Sequence, residues 1–120
     1  MTNIIISDKL KFLLIVNYAF NSIINIKINI IMIQVHILYS GTVVGVGFRF
    51  TVVRIASRLD LVGWIRNTSS GDVEILAEGK KENLSRLCHE IEEHFSGNIR
   101  NKEISQKPYE GKFVGFQIAY

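Results

Sequence analysis

At 120 residues the chain has room for one domain and a tail, and its 48% hydrophobic content with a single proline excludes a disordered protein. Its 14 basic and 11 acidic residues leave a net charge of +3, without the basic stripe that a nucleic-acid partner would require. One cysteine, Cys88, excludes an internal disulfide and a zinc framework, and His36, His89 and His94 are not spaced as metal ligands.

Residues 1–31 differ in kind from the rest: isoleucine and asparagine dominate, and glycine is absent. The most apolar piece, Leu10 to Phe20, is interrupted by Lys11 and Asn17, and asparagines continue through Asn29. That falls short of the roughly 20 mostly apolar residues of a spanning helix, so no membrane crossing is expected. Lys9 and Lys11 ahead of Phe12 to Val16 faintly suggest a signal peptide, but no small-residue cleavage site follows. We read 1–31 as an N-terminal extension, wrongly assigned or dispensable with Met32 as the true start, in preference to a targeting segment; if present in the protein, it frays or adds a strand or helix to a surface. Residues 32–120 form the domain, with 11 basic residues against 10 acidic once Lys9, Lys11, Lys27 and Asp8 are set aside.

Within it, Ile33 to Tyr39 alternates as a strand, with Ile33, Val35, Ile37 and Tyr39 on one face and Gln34, His36 and Leu38 on the other. A helix is predicted over Phe48–Leu59, where Phe48, Val52, Ile55, Ala56 and Leu59 recur at helical spacing. Asp60 to Gly63 turns into a second strand ending at Asn67, and Thr68-Ser69-Ser70-Gly71 is a hairpin connection. A third strand over Asp72–Gly79 points Val73, Ile75 and Ala77 inward and Glu74 and Glu78 to solvent. A second helix, Lys81 to Phe95, buries Leu84, Leu87, Cys88, Ile91 and Phe95, with Gly97 as its stop. Ile99 to Lys107 reads as a strand and Pro108 to Gly111 as a turn. Lys112 to Tyr120 closes the chain as a strand with Val114, Phe116, Ile118 and Tyr120 sharing a face. The order β-α-β-β-α-β plus a C-terminal strand implies an α+β, ferredoxin-like sandwich, two helices on one face of an antiparallel sheet.

The chemistry concentrates in Gly41-Thr42-Val43-Val44-Gly45-Val46-Gly47-Phe48-Arg49, between the first strand and first helix. Glycines 45 and 47 let the backbone turn tightly, and amides gathered at a helix start form a concave anion site favoured by the helix dipole. Arg49 adds a permanent cation with forked donors suited to phosphate. A cation in a helix's first turn opposes the dipole, which favours a functional reason for it. Asn67 carries a carbonyl oxygen and an NH2 group, so it can hold a water without being ionised, although alone it would read as a turn residue. Trp64 reads as a packed aromatic, Arg66 as solvated and turned away from the pocket, Arg54 and Arg58 as a wet helix face, and Cys88 as core.

In this order and at this separation, Gly-Val-Gly-Phe-Arg at 45–49 and Gly-Trp-Ile-Arg-Asn at 63–67 resemble the two signature motifs of the acylphosphatases. The resemblance runs from about Met32 to Tyr120. It implies phosphate binding by the amides of Val44, Gly45, Val46, Gly47, Phe48 and Arg49 with the Arg49 side chain, and orientation of the attacking water by Asn67. Val44 departs from the glutamine usual in the family. The resemblance further implies hydrolysis of a small-molecule acyl phosphate to carboxylate and phosphate, with no metal, no cofactor and no covalent intermediate. The expected setting is a cytoplasmic monomer acting without nucleic acid or membrane. The alternative is a non-catalytic phosphate-compound or RNA-binding module on the same fold. A fragment of a hydrogenase-maturation protein lacks support, because no cysteine pairs follow.

Overall fold

A computed structural model describes residues 7–120, and at 25–30 the backbone alone. The first six residues of the expected 1–31 segment lie outside the described residues. The chain divides between Ile30 and Ile31 into two units, each taken by itself.

The described residues of the first unit form one helix, α1 (Asp8–Ile31), whose last residue is the first of the second unit. Ser7 caps it, its Oγ accepting a hydrogen bond from the Leu10 amide at 3.2 Å, and Asp8 in the first turn suits the dipole. Phe12, Ile15, Tyr18, Phe20 and Ile23 are exposed along it. Among the described residues no helix is long and apolar enough to cross a membrane.

The second unit runs β1 (Met32–Gly41), α2 (Phe48–Arg58), β2 (Val62–Asn67), β3 (Val73–Lys80), α3 (Lys81–His94), β4 (Ile99–Pro108) and β5 (Phe116–Ile118). The strands form one sheet in the order β4-β1-β3-β2-β5. Period-two alternation puts Ile33, Val35, Ile37 and Tyr39 of β1 and Val73, Ile75 and Ala77 of β3 on one buried face. The apolar stripes of α2 (Phe48, Val52, Ile55, Ala56) and α3 (Leu84, Leu87, Cys88, Ile91) close on that face in a single core. This is the ferredoxin-like α+β arrangement expected from the element order.

Four expectations are corrected. The sheet is mixed, because β5 pairs parallel with β2. The final strand spans only Phe116–Ile118, not Lys112–Tyr120: Val114 is 89% exposed and Tyr120 99%, so neither joins the face of Phe116. Gly115, at φ 69°, bends the chain just ahead of β5 and its carbonyl accepts the Gly63 amide at 3.0 Å. Gln34 and Glu78, expected in solvent, are both buried. Gln34 Nε2 donates to Glu78 Oε2 at 3.1 Å, and the amides of Glu110 and Gly111 donate to the same carboxylate at 2.7 and 3.1 Å. The turn after β4 is thereby tied to the sheet, and a buried carboxylate is satisfied by donors distant in sequence. The second helix also stops before Gly97: Phe95 caps it at φ −111°, and Gly97 is absent from the left-handed region where a glycine stop would sit.

Candidate active site

The loop between β1 and α2 takes the form the sequence motif requires. Gly45 and Gly47 have φ of 82° and 75°, and Gly47 is the residue that starts α2. A Cβ on either would meet nothing within 4 Å, so backbone conformation, not crowding, calls for glycine. Among the described residues, no backbone amide from Val44 to Phe50 donates a hydrogen bond; the first to do so is Thr51, to the Gly47 carbonyl at 3.1 Å. A run of free donors at a helix N-terminus is an anion-binding concavity.

The cup is braced from below and behind. Phe48 is buried beneath it, stacked on Phe95 with centroids 4.4 Å apart and tilted against Tyr39 at 5.8 Å. Tyr39 is fully buried and donates its hydroxyl to Glu92 Oε2 at 3.0 Å; burial raises its pKa beyond any working pH. Asn98 clamps the leading arm: its carbonyl accepts the Thr42 amide at 2.9 Å, and its Nδ2 donates to the Thr42 carbonyl at 3.1 Å. Neither bracing residue was visible in sequence, since Glu92 reaches Tyr39 of β1 from α3 and Asn98 reaches the loop from the turn ahead of β4.

Arg49 follows in the first turn of α2, half-buried. Its guanidinium carbon lies 5.6 Å from the centre of the Tyr120 ring. Tyr120 also lines, with Arg66, Asn67, Thr68 and Ser69, a cavity of about 300 Å³. Asn67 ends β2, and its Oδ1 is buried with no protein donor. The parallel β2–β5 register pairs Ile65 with Ile118, and the Ala119 amide donates to the Ile65 carbonyl at 2.8 Å. Two residues beyond that pair stand Asn67, the last residue of β2, and Tyr120, past the end of β5, so the ring near Arg49 also lines the Asn67 cavity.

This geometry accompanies clear sequence kinship. The acylphosphatase family model matches residues 35–118. The chain belongs to the acylphosphatase family. An acylphosphatase of Bacillus licheniformis is 40% identical over 91 residues, covering 74% of this chain and all of that protein. One from Trichormus variabilis is 46% identical over 61 residues, 48% of this chain and 60% of that relative. In three dimensions the crystal structure of acylphosphatase from Bacillus subtilis superposes with a TM-score of 0.67 at 29% identity, over 73% of this chain and 99% of that one. The acylphosphatases are hydrolases, and the matched region contains both the 44–49 loop and Asn67.

Other polar residues of this acylphosphatase domain are engaged elsewhere. Cys88 sits in the core, and burial raises its thiol pKa. His36 Nε2 lies 2.7 Å from Glu74, which also pairs with Arg66, while the Arg66 guanidinium covers the Trp64 ring at 5.1 Å. Arg66 thus borders the Asn67 cavity instead of turning away from it. A larger concavity of about 510 Å³ lies between α2 and α3, lined by Arg54, Arg58, Glu90 and His94 among others. There Arg58 is already paired with Glu90, whose carboxyl it holds below its ordinary pKa, so the cation is neutralised locally. Tyr120 is a second site-lining residue, with Arg66, that the sequence reading misplaced, since its alternation with Phe116 and Ile118 reads as core.

Proposed function

We propose that this acylphosphatase-family domain hydrolyses acyl phosphates in the cup at 44–49, with Arg49 and Asn67 in the principal roles. The observation that carries the reading is the buried, unpartnered Oδ1 of Asn67 at the cavity that shares Tyr120 with Arg49. A buried acceptor with no protein donor suits a water O–H.

The phosphoryl oxygens sit against the amides of Val44, Gly45, Val46, Gly47, Phe48 and Arg49, and the Arg49 guanidinium supplies the positive charge. Donors fixed before the substrate arrives favour the charge that develops on those oxygens in the transition state. Asn67 accepts one O–H of the water and aims its lone pair at phosphorus. Attack forms the new P–O bond as the bond to the acyl oxygen breaks, and that electron pair leaves on the carboxylate. The water's proton passes to a phosphoryl oxygen, so the acyl phosphate dianion and water yield a carboxylate and monoanionic phosphate. No side chain must carry a proton, consistent with an amide at position 67. Val44 in place of glutamine keeps the amide cradle, since backbone donors do not depend on the side chain that accompanies them.

The RNA-binding alternative draws little support. On the open face, β1 and β3 present the His36–Glu74 pair and the buried Gln34–Glu78 pair instead of free aromatics.

The test is release of phosphate from acetyl and benzoyl phosphate, with and without excess chelator. Turnover should persist with chelator. Arg49→Gln should lower kcat/KM by about 10³-fold and weaken inhibition by inorganic phosphate. Asn67→Ala should lower kcat by about 10²-fold while phosphate inhibition stays within a few-fold of wild type. Near-normal turnover in either variant would refute that residue's role.

A further inference from the structure

The two helices of the domain do not cover all five strands. Helix α2 packs on β2 and β5, and α3 on β3 and β1. Strand β4 lies beyond them at one edge of the sheet, and none of its residues is buried. The register sets Val35 opposite Gln106, Ile37 opposite Ile104 and Tyr39 opposite Lys102. Directly opposed residues point to the same face, so these three β4 side chains share the helix-side face with the core residues of β1. Between them and α3 lies a cavity of about 470 Å³, a size that suits a small organic molecule. Ile33, Val35, Leu84 and Ile104 give it apolar walls, and Ile104 is 52% exposed although it faces the core side. Lys81 and Lys102 also line it, with Glu92 as its one carboxylate. Glu92 Oε2 already accepts the Lys102 ammonium and the Tyr39 hydroxyl, each at 3.0 Å. Lys81 enters no ion pair among the described residues. Two lysines against one engaged carboxylate leave positive charge in excess beside an apolar floor.

We propose that this cavity is a second binding site, separate from the cup, for an amphiphilic carboxylate: a monoanion whose apolar tail lies along Leu84 and Ile104 and whose head meets the lysine ammonium groups. The cavity shares no lining residue with the one at Asn67. A lysine wall alone would accept any small anion, so the apolar floor is what makes tail length decide. A fully buried methylene is worth about fourfold in affinity, and one covered on a single side about twofold. Octanoate should therefore bind about tenfold tighter than butanoate. Carboxylates are also what the proposed hydrolysis releases, but the chemistry of this site does not depend on that reading.

The experiment titrates octanoate, butanoate and octylammonium into the isotope-labelled full chain, with inorganic phosphate present throughout, and follows backbone amide shifts. Octanoate should move the amides of Leu84, Cys88 and Ile104 most, and octylammonium should leave them in place. Lys81→Met should weaken octanoate about threefold. Ile104→Asp should weaken it at least about tenfold, because it removes part of the floor and sets a like charge there. Its side chain is half-exposed, so Tm and inhibition by phosphate should stay close to wild type, which separates a lost site from a lost fold. No response to octanoate, or largest shifts in the 44–49 loop, would overturn the proposal. Equal affinity for octanoate and butanoate, octylammonium binding as tightly as octanoate, or undiminished binding in Ile104→Asp would do the same. So would a dimer that Ile104→Asp dissociates, since a second copy would then fill the groove.

Discussion

Gly47 and Gly63 are both at positive φ, yet different physics holds each. At Gly47 the surroundings would admit a methyl group, and only the left-handed backbone resists it. Gly47→Ala should therefore lower stability by only about 1–2 kcal/mol, while tilting the amides enough to weaken phosphate inhibition about tenfold. At Gly63 a Cβ would sit 1.9 Å from the Leu76 carbonyl oxygen on β3, so Gly63→Ala must spread the two strands. Its loss of stability should be several-fold larger than that of Gly47→Ala in urea titrations. Equal losses would contradict this division. Glu74 offers a second test among single residues. The hydrogen bond with His36, then Arg66, holds its carboxyl below the ordinary 4.5. Because the folded value lies below the unfolded one, the stabilisation is present above about pH 4.5 and disappears as pH falls through the lowered value. Glu74→Gln should flatten the decline of Tm between about pH 5 and pH 3 and lower Tm at neutral pH; an unchanged acid limb would show the cluster contributes nothing.

Among elements, the clamp between the turn ahead of β4 and the cup is the most exposed to test. Asn98 ties Thr42 through both its backbone and its side chain, next to the irregularity where β1 leaves its register at Ser40/Gly41. Asn98→Ala removes one of the two hydrogen bonds, with an expected loss of about 1 kcal/mol in global stability. The larger consequence should be at the site: a looser leading arm should raise the inhibition constant for phosphate more than the fall in Tm suggests. If phosphate inhibition is unmoved, the clamp shapes only the edge of the sheet. Helix α2 was readable from its apolar stripe at Phe48, Val52, Ile55 and Ala56, despite β-branched residues that disfavour helix. Strand β4 was expected over Ile99–Lys107 from a polar, weakly patterned stretch; the structure carries it on to Pro108, and its ladder to β1 holds residues that are mostly exposed.

For the whole molecule, the buried apolar residues of the second unit run from Ile33 to Phe116, and the family match begins at residue 35. A chain starting at Met32 should therefore fold with the same Tm, within about 2 °C, and retain its kcat on benzoyl phosphate. Loss of folding on that truncation would show that α1 contributes to the domain. Helix α1 was not assigned from sequence as a helix in particular, because its isoleucines and asparagines carry no clear helical stripe.

What the sequence by itself determined was local: the order of elements, the glycine-bent loop, the cation after it, and the two motifs that mark the family. These follow from backbone preferences and periodicities set by near neighbours. Only the tertiary structure decided that β5 runs parallel to β2, that Tyr120 is exposed beside Arg49 and lines the Asn67 cavity, and that Gln34 and Glu78 are buried together. Strand pairing and burial depend on partners tens of residues away. A residue such as Glu78 reads as a solvent carboxylate until the chain near Gly111 folds back to donate to it.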